Sequence, residues 1–231
     1  MSNTTWQQAR GLIPKCAQRK NQKNINNARM SQKVLDRLLE EASLQEHYRV
    51  NSTLVNICMD TWIKTGMPDA CERVESIFQN MLVQSKAHPE NVEPPDTISY
   101  NTYLNAWSSS ASNHAPQKVE DIIANMEKLS HTHPDGAVHP DEWSYHQVLE
   151  CYANRSDRYG AAKAAEDWLL RLSELGINDE NKSDSLPSTF HFNAVLKAWA
   201  NSNEAKGPER SHEILLAMLN LYSKGHENAK P

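Results

Sequence analysis

The sequence predicts an all-α fold, a right-handed α-solenoid of antiparallel helix-turn-helix repeats, and three observations predict it. Similar residues recur at nearly fixed intervals, two elements alternate within each interval, and both elements carry a helical period. Asn56, Asn101, His146 and Asn193 stand 45, 45 and 47 residues apart, and Trp62, Trp107, Tyr152 and Trp199 keep the same intervals. The copy from Pro95 to Trp107, PDTISYNTYLNAW, is the one around which the others align. A second block follows each copy: VESIFQNM from Val74, VEDIIANM from Val119, AEDWLLRL from Ala165 and SHEILLAM from Ser211. Repeats of this length bury their apolar faces against their neighbours instead of around one centre.

The first element reads as a helix because Val55/Met59/Trp62, Tyr100/Leu104/Trp107, Tyr145/Leu149/Tyr152 and Phe192/Leu196/Trp199 fall at i, i+4 and i+7. That spacing makes one apolar stripe. Asp96 or Thr97, Asp141 and Ser188 precede these helices, each just after a proline, and such residues accept hydrogen bonds from the unpaired amides of a first turn. First helices are predicted over 52–65, 97–110, 142–155 and 189–202. The second element is also helical, with apolar residues at Val74, Ile77, Phe78 and Met81, and again at Val119, Ile122, Ile123 and Met126. Second helices are predicted over 69–86, 115–130, 158–175 and 207–223.

Taken in order, residues 1–25 form a basic lead-in, and 26–51 contain the second helix of an incomplete repeat, in which QKVLDRLL parallels QKVEDIIA. Complete repeats follow over 52–96, 97–141 and 142–188, with a truncated one over 189–231. The array begins and ends within a repeat and shows no polar capping repeat, the expectation for a piece of a longer array. Residues 1–33 carry seven basic side chains and no acid, so the net charge of −5 divides into +7 there and −12 over the remainder. That opening reads as an organelle-targeting segment, a phosphate-binding arm or a lead-in to the first helix. A mean hydropathy of −0.72 leaves no membrane span to expect. Cys16, Cys58, Cys71 and Cys151 form no close pair and suit reduced thiols.

A helical hairpin closing on Pro95-Asp96, followed by the aromatic-Asn pair Tyr100-Asn101 and a Glu- and Met-containing second helix, resembles the pentatricopeptide repeat family of RNA-binding proteins. The likeness covers about residues 26–231. It implies a tetratricopeptide-like superhelix whose first helices line a groove for single-stranded RNA, one base per repeat. The period here is longer than the family's by roughly ten residues. The excess lies in the polar connectors Ser85 to Glu93, Ser130 to His139 and Gly176 to Leu186. Carried over residue by residue, the family's pairing rule joins Asn56 with Asp96 and Asn101 with Asp141, each selecting uridine. His146 with Ser188 has no assignment under that rule, and Asn193 lacks its partner because the sequence stops.

The candidate recognition positions come as pairs at i and i+3, Thr53/Asn56, Ile98/Asn101, Trp143/His146 and Phe190/Asn193, which puts both members on one helix face. An apolar or aromatic group there can stack on a base while the neighbouring amide meets its pairing edge. The competing expectation has the asparagines bonded within the interface between repeats, with Ile98 and Phe190 packed and Trp143 and His146 filling that interface.

Catalytic patterns are weak. His131, His133, Asp135 and His139 lie in a connector and match no zinc spacing, and there is no phosphate-cradling glycine-rich loop or nucleophile elbow. The pairs Glu40/Glu41 and Asp179/Glu180 read as solvated surface. The expectation is therefore a non-catalytic, cofactor-free binder of single-stranded RNA in a mitochondrion or plastid, otherwise the cytoplasm, acting in RNA processing, stability or translation. Two alternatives stand beside it: a protein-binding scaffold, which the acidic surplus favours, and the RNA-positioning part of a longer enzyme. Neither a membrane nor a small-molecule substrate is expected as a partner.

Overall fold

The computed structural model describes the backbone of residues 3–44, 49–133, 136–155, 158–177, 187–226 and 229–231, and within these ranges the side chains from 22 to 174 and from 187 onward. Among the described residues the chain is all-helical: α1 (Asn3–Leu44), α2 (Ser52–Ile63), α3 (Ala70–Ala87), α4 (Thr97–Ser108), α5 (Ala115–Thr132), α6 (Glu142–Ala153), α7 (Ala161–Ile177), α8 (Thr189–Asn201) and α9 (Gly207–Ser223). The bounds of α2 to α9 fall within three residues of those predicted. α1 runs through both the basic lead-in and the segment read as a second helix. Asp135, Asp179 and Glu180 lie outside the described residues, as does the Cys16 side chain. Among the described residues no helix is long and apolar enough to cross a membrane.

The chain divides into two compact units, residues 1–103 and 104–231. In the first, α2 packs on both α1 and α3. Its core holds Leu35 and Leu39 of α1, Val55, Met59 and Trp62 of α2, and Val74, Phe78 and Met81 of α3, all buried. Phe78 stacks on Tyr103 at 4.6 Å and meets Tyr100 edge-on at 4.9 Å, so the start of α4 packs on α3 through these two rings. The connector after α3 returns to the start of α2. Val50 donates its N–H to Asn91 and accepts from Glu93, making an isolated bridge with Val92. Gly66, just past α2, has φ +63°, a left-handed conformation that closes a helix without side-chain strain.

In the second unit α6 packs on α5, α7 and α8, and α8 packs on α7 and α9. Ile123, Met126, Leu149, Val195 and Met218 are almost wholly buried at these contacts. Arg155, buried after α6, donates to the carbonyls of Cys151 at 2.8 Å and Ser112 at 3.2 Å, and to that of Ser110. It thereby satisfies loop carbonyls that follow α4, a need of any helix C-terminus that loses contact with water.

The recurring aromatic of each first helix has a common environment. Trp62 donates to Gln32 at 2.9 Å in the first unit, while Tyr152 donates to Glu120 at 2.7 Å and Trp199 to Glu166 at 3.0 Å in the second. Each acceptor lies on the second-type helix just before, so a buried ring also finds a partner for its polar tip. Trp107 differs. It is buried, with the Lys118 ammonium 5.5 Å from its ring, and its indole N–H has no partner.

Replacing Trp107 by Ala should destabilise the protein by about 3–5 kcal/mol in chemical denaturation, since a buried indole leaves a large cavity. The contrast between phenylalanine substitutions is sharper. Trp199→Phe strips a donor from buried Glu166 and should cost about 1–3 kcal/mol more than Trp107→Phe, which removes an orphan donor. Equal costs would contradict these environments.

Candidate functional site

The first unit builds its site at the start of α4. Asp96 caps that helix: Oδ1 accepts the Ser99 backbone N–H at 2.8 Å and the Ser99 hydroxyl at 2.9 Å. Ser52 of α2 donates its hydroxyl to Oδ2 at 2.9 Å, and the Asn56 side chain donates to the same carboxylate. Burial alone would raise the Asp96 pKa, but the hydrogen bonds from Ser99, Ser52 and Asn56 outweigh it and hold the group below its ordinary 3.8. The carboxylate is therefore a fixed anion that grips the amide end of Asn56. The other end of that side chain, Oδ1, is buried and accepts no hydrogen bond. An acceptor in this state lowers its free energy if a ligand N–H reaches it.

Thr53, three residues before Asn56, is exposed, and Ile98, three before the buried Asn101, is 64% exposed. The competing expectation that Ile98 packs is corrected here, because the buried face of α4 is taken by Tyr100, Tyr103 and Leu104.

The second unit repeats the scheme with different chemistry. Asp141 caps α6 as Asp96 caps α4, with Oδ1 accepting from the Ser144 N–H at 2.8 Å and its hydroxyl at 2.9 Å. Three exposed or half-buried rings lie together above it. Trp143 is 5.4 Å from His146 between ring centroids, and Phe190 of α8 is 6.1 Å from His146 on the edge. Trp143 is 53% and Phe190 62% exposed, so neither packs in a core, contrary to the interface expectation for both. His146 is half-buried, and its Nδ1 has no hydrogen-bond partner. Burial holds its pKa below the ordinary 6.5 against the raising effect of Glu150 and Glu142, so the ring is neutral near pH 7.

Ser188 does not serve His146. Its backbone N–H donates to His191 Nδ1 at 3.0 Å, its hydroxyl lies 3.2 Å from the same nitrogen, and His191 Nε2 donates to the Glu142 carbonyl at 3.0 Å. These contacts require the neutral Nε2–H tautomer. His191 in turn faces His146 at 6.2 Å, and Asn193 is exposed one turn along α8 from Phe190. One turn further, Lys197 donates to Glu150 at 2.8 Å and Asn154 at 3.1 Å.

Sequence reasoning missed Ser52, Ser99, His191, Glu150 and Lys197. Ser99 was legible in part, since Ser recurs three residues after the capping Asp at Ser99 and Ser144, whereas Ser52 reaches Asp96 from another helix. His191 and the Glu150–Lys197 pair depend on contacts between different helices. The first unit thus holds one buried orphan amide oxygen, and the second presents two exposed apolar rings beside a neutral imidazole. Cys58 and Cys151 are buried thiols whose pKa burial pushes up to about 11, so neither is a ready nucleophile. Among the described residues no group of His, Cys, Asp and Glu is placed to hold a metal ion.

The histidines make stability depend on pH. Burial depresses His191 and His146 below 6.5, so the unfolded chain takes up protons that the folded one refuses. The neutral forms contribute fully above 6.5, and melting temperature should fall as pH drops below that value. Asp96 adds a separate loss below 3.8, because a depressed carboxyl contributes above its unfolded value and loses that contribution on acidification. NMR titration finding His191 at or above the ordinary histidine value would contradict its buried, neutral state.

Compared with known proteins, the sequence matches no family profile and no curated protein.

Proposed function

We propose that this chain binds single-stranded RNA through the exposed side chains of its first helices and performs no chemistry on it. The observation that carries the reading is the pair of exposed aromatics, Trp143 and Phe190, flanking the unpartnered Nδ1 of His146. Large apolar rings left in water and grouped around a polar ring atom are a stacking surface for a base, worth about 1–3 kcal/mol per base. In the first unit, the orphan Oδ1 of Asn56, held in place by Asp96, supports selection of a base that presents an imino N–H, as uridine does. The resemblance to pentatricopeptide repeats agrees with this, and on it the helices are arranged as a right-handed solenoid whose first helices share one face.

One observation favours a protein partner instead. On the first-helix faces Lys64 is paired with Asp60 and Lys197 with Glu150, so these cations are already neutralised. A polyanion gains little there, and affinity on the order of micromolar or weaker is expected, falling with salt.

Fluorescence-anisotropy titration with oligouridine and oligoadenosine at low salt tests the reading. Oligouridine should bind more tightly, Trp143→Ala should weaken both RNAs by about 1–3 kcal/mol, and Asn56→Ala should remove the difference between them. Equal binding of both RNAs by wild type and Asn56→Ala would overturn base selection. No binding by the folded wild type would leave the protein scaffold.

A further inference from the structure

Glu150 and Lys197 continue the stripes of the aromatic platform. Glu150 follows Trp143 by seven residues and His146 by four, and Lys197 follows Phe190 by seven and Asn193 by four, so each lies one helical turn along from the recognition pair. Lys197 Nζ donates to Glu150 Oε2 at 2.8 Å and to Asn154 Oδ1 at 3.1 Å. The pair reaches solvent, with the lysine side chain 44% and the glutamate 26% exposed. A lysine held by a carboxylate and an amide oxygen has the donor set that a phosphate oxygen would use, with the phosphate's place taken by a group of the protein.

We infer that Lys197 and Asn154 form a phosphate subsite for the nucleotide stacked on Trp143 and Phe190, and that Glu150 occupies this subsite as a built-in competitor. The inference rests on the RNA reading above. Lys197 would exchange Glu150 for the backbone phosphate, and the Asn154 amide would turn its N–H end to the same anion. The displaced Glu150 would remain in water. An exposed ion pair holds its partners by only about 0.2–1 kcal/mol, so the exchange is open to a ligand already anchored by its base. Glu150 thus lowers affinity for RNA in general and leaves base stacking to discriminate.

Oligouridine titrations over a range of salt test this on the full chain, with circular dichroism and melting confirming that each variant is folded. Glu150→Gln should bind about two- to five-fold more tightly at low salt, because the competitor is lost. Lys197→Ala should bind more weakly and flatten the dependence of log affinity on log salt by about 0.7, the signature of one lost phosphate contact on a single strand. Combining Glu150→Gln with Lys197→Ala should give the affinity and slope of Lys197→Ala alone. Unchanged affinity in Glu150→Gln, or a gain that survives the loss of Lys197, would overturn the subsite while the RNA reading stands. Failure of folded wild type to bind oligouridine would overturn both.

Discussion

Asp96 accepts hydrogen bonds from Ser99, Ser52 and Asn56, and these contacts perform two tasks with one carboxylate. The bonds from Ser99 supply the missing partners of a helix N-terminus and so fix where α4 begins. The bonds from Ser52 and Asn56 tie that terminus to α2, which sets the spacing of two first helices and the direction of the Asn56 amide. Helix start, helix packing and the orientation of the Asn56 amide are therefore coupled at one anion. Asp141 caps α6 in the same way. At Ser188 the aspartate is gone, and His191 supplies the reciprocal contact while also bonding to the Glu142 carbonyl. The cap is retained with different atoms, and the side chains beside it change from an amide to rings.

The electrostatics pull in two directions. Under the proposed RNA reading the exposed rings of α6 and α8 would favour a nucleobase, yet the chain is acidic overall and lysines on the first helices are matched by carboxylates within their own unit. Affinity in such a design comes from short-range contacts, which depend on base identity, more than from charge, which does not. The second-type helices carry stronger pairs that belong to the scaffold. Glu166 is nearly buried and receives Arg210 and the Trp199 indole, and Glu127 receives Arg171 and the Tyr145 hydroxyl. Removing one partner there leaves a buried or half-buried charge without compensation, so these pairs constrain the fold more than any ligand.

Most of the fold was legible because its determinants are local. Capping residues at Asp96, Asp141 and Ser188, and apolar stripes such as Tyr100/Leu104/Trp107, are written within a turn or two of the structure they specify. α1 was less legible, since residues 1–25 show no stripe that would announce a helix, and helices of mixed polarity give a weak periodic signal. At the site, the i, i+3 pairs Ile98/Asn101 and Trp143/His146 could be read from spacing, and the link from Asn56 to Asp96 from the family resemblance. The exposure of Phe190 and Ile98 could not, because an apolar residue on a helix reads equally as core. Nor could the engagement of Ser188 by His191, or of Lys197 by Glu150, which joins residues 47 apart through the packing of α6 on α8. Such contacts are products of tertiary geometry and leave no trace in local pattern.

The central claim is that the exposed side chains around the capped starts of the first helices are where a ligand sits. Side-chain NMR during titration with oligouridine examines it directly. The account predicts that the Asn56 amide and the Trp143, His146 and Phe190 ring signals shift together and saturate at one RNA concentration, while the Trp168 indole, bonded to Glu120 among the second-type helices, stays in place. Shifts confined to Trp168 and its neighbours, with Asn56 and His146 unmoved, would contradict it.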